Sequence, residues 1–132
     1  MQLAWPQRSD RIFKKNMARI FHFINQTDLG QYLNDRELVV PSLGSQGFIH
    51  CSTLDQVIGV ANFLAPYDEE MRLIEIEEER VTPEVRYENT DGGETLFPHI
   101  YGALNRDAIV TIHPLEWDGE DGYQLPDALI SG

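Results

Sequence analysis

The chain has 132 residues, 42% of them hydrophobic and 24% charged, with a formal net charge of −12 and a single cysteine. That length supports one domain with an unstapled core, and the lone thiol excludes a disulfide framework or a Cys-rich zinc module. The acidity excludes bulk nucleic-acid binding, because phosphate repulsion would act over most of the surface.

Residues 1–16 show no clear periodicity and carry Arg8, Arg11, Lys14 and Lys15 against Asp10. They read as a poorly ordered extension, and 17–132 as a single globular domain. Residues 18–24 are β-branched and aromatic and predict a buried strand. Thr27 and Asp28 cap a short helix in which Leu29, Tyr32 and Leu33 share a face. Pro41, Gly44 and Gly47 mark a loop, and 48–51 form a second short strand. Leu54, Val57, Ile58, Ala61 and Leu64 then make an apolar stripe at helical spacing. Thr53 with Gln56 fits a capping box at its start, and Pro66 closes it.

Residues 71–77 predict a strand with Ile74 and Ile76 on one face and Leu73 and Glu75 on the other. Further strands follow at 85–88, 99–101 and 108–113, with a glycine-rich turn between the first two. Residues 116–126 read as a hairpin around an acidic turn. Two helices in the N-terminal half followed mostly by strands define an α+β fold on a small mixed or split sheet. No apolar run approaches the ~20 residues of a membrane span, and no secretory signal is evident, so the expected address is cytoplasmic.

Two motifs carry chemistry. In GFIHCST, residues 47–53, a strand ends in His50, Cys51 and Ser52 where a helix begins, which sets an imidazole and a hydroxyl beside free backbone N–H groups. In FPHIYG, residues 97–102, Pro98 holds Phe97 extended, so His99 and Tyr101 share a strand face about 7 Å apart. The plainer alternatives are that Thr53 caps the helix, Cys51 is a small buried hydrophobe and the histidines tie strand ends. Cys51 and His50 do not form a nucleophile pair, because strand neighbours point to opposite faces. His22 lies on the apolar face of Ile20 and Ile24, and His113, before Pro114, reads as structural. Glu75, on the Leu73 side of a buried strand, and Glu88 are the carboxylates to watch. No metal-ligand spacing, P-loop, G-x-G-x-x-G or G-x-S-x-G is present.

The segments IFHFI, GFIHCSTLDQVIGVANFL, LIEIEEERV, VRYEN, FPHIYGALNRDAIV and GYQLP occur in the order found in the bacterial domain-of-unknown-function family 952, which the chain resembles over residues 18–126. That family's fold looks like the split-sheet α+β fold of ADP-ribosyltransferases, which grip NAD in a cleft. The resemblance implies His22 in the place of the first-strand ribose-binding residue and Ser52 in that of the second-strand hydroxyl. Glu75 would take the place of the transfer-directing glutamate, although that glutamate usually lies on a later strand. His99 and Tyr101 would complete the pocket.

The combined expectation is a small-molecule or nucleotide pocket formed by His22, His50, Ser52, His99 and Tyr101, with NAD or a related nucleotide as ligand. The catalytic group would come from Glu75, Glu88 and His50, in transfer or hydrolysis at an N-glycosidic bond. The rival expectation is a non-enzymatic module that binds another protein through its acidic surface.

Overall fold

The computed structural model describes residues 18–66 and 68–130; the extension expected at 1–16 lies outside them. Strand β1 (Arg19–Asn25) pairs antiparallel with β4 (Met71–Glu77), which pairs antiparallel with β8 (Ile109–Leu115). A second antiparallel sheet has the order β3 (Ile49–His50), β6 (Phe97–Tyr101), β5 (Glu84–Glu88), and a two-stranded ladder joins β2 (Glu37–Leu38) to β7 (Leu104–Asn105). The architecture is α+β with antiparallel sheets and few helices.

The alternation along β1 and β4 dictates two apolar cores, because each face of the central sheet must be covered. Ile20, Ile24, Ile74 and Ile76 face one core, which also takes Ile49, Cys51 and Ile100 from the second sheet. Phe21, Leu73 and Met71 face the other, packed under Val57 and Ala61 of the long helix and under Tyr123. The two sheets touch along one seam. There the Phe21 N–H donates to the Ser52 carbonyl and the Ser52 N–H to the Phe21 carbonyl, both at 2.8 Å. Beyond that bridge β1 and β3 diverge, and the split positions the site.

Helix α1 (Gln26–Tyr32) begins earlier than Thr27 and Asp28 suggest. Asn25 ends β1 and caps the helix, its Oδ1 accepting from the Asp28 N–H at 2.7 Å. The expected loop after β2 contains one helical turn, α2 (Ser42–Ser45), started by Pro41 at φ −57°. Helix α3 (Leu54–Leu64) has the expected bounds, and Gln56 Oε1 accepts from the Thr53 N–H at 2.9 Å. Only part of its stripe is covered: Val57 and Ala61 are buried, whereas Leu54 and Leu64 are exposed.

Strand β8 runs on through Pro114 to Leu115, which places His113 inside the strand rather than at its end. An edge strand tolerates proline because one row of its N–H groups has no ladder partner to lose. The tail hairpin appears as a bridge between Trp117 and Tyr123, with Asp118 Oδ1 accepting from the N–H groups of Glu120, Asp121 and Gly122. A last turn, α4 (Asp127–Ile130), is too short to show any period in the sequence. With α2 and α4 the α-helices number four among the described residues, against the two expected, and single 3-10 turns follow at Glu78–Arg80 and Arg106–Ala108.

Candidate functional site

Where β1 and β3 part, a side chain replaces the missing ladder bond. His22 Nδ1 lies 2.6 Å from the His50 carbonyl oxygen. A carbonyl only accepts, so Nδ1 carries the proton and donates. Burial holds the His22 pKa below its ordinary value, which leaves an uncharged ring with its lone pair on Nε2.

A cavity of about 560 Å³ opens beside this bond, bordered by His22, His50, Ser52 and His99. That volume falls within the range of small-molecule sites, ~300–1,000 Å³. Its apolar wall comes from Phe21, Phe23, Phe63 and Phe97, and Thr90 and Asp91 border it from the turn after β5. Phe63 is 85% exposed, and with Leu64 it leaves an apolar lip at the end of α3.

The polar wall is one face of the second sheet. His50 and His99 are direct register partners, their rings 5.3 Å apart and steeply tilted. Phe48 stacks on His99 at 4.1 Å and 15°, which explains why that imidazole is only 3% exposed. Behind it, Glu88 Oε2 accepts from His99 Nδ1 at 2.9 Å and from the Tyr101 hydroxyl. The Tyr101 hydrogen bond first, and the His99 bond second, hold the Glu88 carboxyl below its ordinary pKa. The same bond to Glu88 raises the Tyr101 pKa. The second bond commits His99 Nδ1 to Glu88.

His50 Nε2 donates to Gln46 Oε1 at 2.6 Å. Burial, then the neighbouring His99, lowers the His50 pKa. Arg86, also on this face, is held by Glu84 at 2.9 and 3.1 Å and lies 4.3 Å over the Tyr101 ring.

The structure therefore brings His22, His50, Ser52 and His99 to one cavity. Tyr101 and Glu88 stand behind His99 instead of bordering the space. Glu75, expected in the catalytic set, does not border it. Parity does turn Glu75 to the Leu73 face, but one strand in from the seam, where Arg19 and His113 Nε2, the latter at 2.8 Å, take up its carboxylate. Cys51 is buried and its thiol pKa is pushed far up by that burial, so it is no nucleophile.

Sequence reasoning overlooked Phe48, Phe97 and Asp91. The first two stand two residues before His50 and His99, so strand parity alone would have put them on the same face. Asp91 carried no such signal, since a turn has no period. Among the described residues, no group of three or more histidine, cysteine, aspartate or glutamate side chains is arranged to hold a metal ion.

The family described as Protein of unknown function (DUF952) matches over residues 23–112. The fold is similar to the crystal structure of protein CC0527 from Caulobacter crescentus, with a TM-score of 0.71 and 24% identity, over 84% of this chain and 97% of that one. The solution NMR structure of CC0527 gives the same TM-score of 0.71 and 24% identity, over 88% of this chain and 100% of that one. No curated protein matches the chain.

Proposed function

This chain belongs to the DUF952 family, and we propose that its seam cavity binds a small nucleotide of the NAD type by the base and ribose, in a single domain running from 17 to 132. Supporting this is one observation above the others: His22, His50, Ser52 and His99, drawn from three separate segments, border one cavity with an aromatic wall. Apolar surface with a few converging polar groups is the usual make-up of a small-molecule site. The split between two antiparallel sheets is also the feature on which the likeness to ADP-ribosyltransferases rests, although likeness of fold alone never establishes a reaction.

The chemistry such a site suits is cleavage of the N-glycosidic bond. The base leaves with the bonding electron pair, and water or an acceptor nucleophile adds to the anomeric carbon and gives up its proton. His22 Nε2 accepts from one ribose hydroxyl and His99 Nε2 makes a second hydrogen bond to the sugar, which fixes it. Glu88 serves as a positioning residue: its bond to Nδ1 fixes the His99 tautomer, and its negative charge favours the positive charge that develops on the sugar. Glu75, already spent on Arg19 and His113, has no part in this step.

The test is thermal unfolding of the full chain with NAD, ADP-ribose and nicotinamide riboside at about 1 mM. A ligand present well above its Kd stabilises the native state by roughly 2–3 kcal/mol, which raises the melting temperature by several degrees. That rise should disappear in His22→Ala and His99→Ala. A melting temperature unmoved by every compound would sink the proposal and leave the acidic interaction module as the better account.

A further inference from the structure

Resting on that assignment of the cavity, we infer that it selects a neutral or positively charged N-ribosyl ring and has no grip on phosphate. The lining of the cavity points this way.

The donors that usually hold phosphate are spent or opposed here. Among the described residues, no lysine or arginine borders the cavity. Among the described residues, none borders the adjoining space of about 300 Å³ either, which shares His22, Phe23, His50 and Leu64 and is also lined by Asn25 and Asp28. Arg86, the one arginine on the same sheet face, is bound to Glu84 and covers Tyr101. At the start of α3, Gln56 Oε1 takes the Thr53 N–H, and Asp55 places a carboxylate in the first turn. A phosphate there would meet a like charge.

Of the uncharged groups left at the border, the Ser52 and Thr90 hydroxyls both donate and accept. The His22 Nδ1 proton is committed to the His50 carbonyl, and the His99 Nδ1 proton to Glu88. The uncharged His22 ring therefore presents Nε2 as an acceptor, suited to O–H and N–H groups and repelled by phosphate oxygens. Asp91 adds a carboxylate at the border. Phe21, Phe23, Phe63 and Phe97 supply ring faces, and a cationic ring such as a pyridinium is attracted both to those faces and to Asp91. In a dinucleotide the phosphates would then project out over the exposed lip of Phe63 and Leu64.

Calorimetric titration of the full chain at about pH 8 with nicotinamide riboside, its 5′-monophosphate and NAD decides the matter. The riboside is expected to bind at least as tightly as either phosphorylated compound. Asp91→Asn should weaken the riboside by about fivefold, the scale of one partly screened charge pair, and change the monophosphate less. Among the described residues the Asp91 side chain makes no hydrogen bond or ion pair that this substitution would break, so loss of folding does not confuse the result. Tighter binding of the monophosphate or NAD than of the riboside would overturn the inference while leaving the cavity assignment standing. Failure of all three compounds to bind would overturn both.

Discussion

Glu75 shows how much a single buried side chain draws on distant parts of the chain. It is 8% exposed and holds Arg19, 56 residues earlier, and His113, 38 residues later. Its burial was legible from strand parity beside Leu73. Its partners were not, because no local rule says which basic groups a three-stranded order will bring alongside. Glu75→Gln would keep the shape and remove the charge, leaving the Arg19 guanidinium without its closest counter-ion. Since breaking a buried pair from one side is strongly destabilising, the loss should be about 2–4 kcal/mol in urea unfolding. A loss under about 0.5 kcal/mol would mean the pair is no more than a surface contact.

Among the elements, α3 was the most legible, since cap, stripe and terminating proline all agreed. The second sheet was half legible. Parity put His50 on one face of β3 and His99 on one face of β6, but only the register sets them side by side. Register between strands about fifty residues apart is fixed by the whole fold and not by either strand. The tail hairpin was visible as an acidic turn, while its attachment to α3 was hidden. Asn62 Oδ1 accepts from the Tyr123 N–H at 2.7 Å, and Gly122 just before it has a φ of +113°. A Cβ at Gly122 would lie 2.3 Å from that same oxygen. Gly122→Ala therefore combines backbone strain with loss of the anchor, and should cost roughly 1–3 kcal/mol. Chemical denaturation would read this as a lower midpoint at unchanged slope.

Taken whole, the sequence points to α+β on a small mixed or split sheet; the molecule is α+β, and its antiparallel orders β1-β4-β8, β3-β6-β5 and β2-β7 are not specified by that class. Its pH response also belongs to this scale, because histidines from two sheets take part. His22 and His50 both have folded pKa values below the ordinary 6.5, chiefly through burial. Between those folded values and 6.5 the unfolded chain binds more protons, so their contribution is complete above about pH 6.5 and is lost as pH falls through the folded values. Glu88 and Asp118 are depressed as well, and add a second loss below about pH 4. Urea midpoints from about pH 8 to about pH 2 should therefore decline in two stages, and His22→Gln should shrink the first. A flat profile between pH 7 and 5 would contradict the neutral imidazoles on which the cavity depends.

The chain's single thiol sits at the inner wall of that same opening. Cys51 is 4% exposed, faces the core between Ile49 and Ile100, and has its ionisation suppressed by burial. A maleimide can couple to it only in the moments when local opening exposes that wall. The unaltered protein thus carries its own clock for that opening, and any molecule lodged in the gap would make the clock run slow.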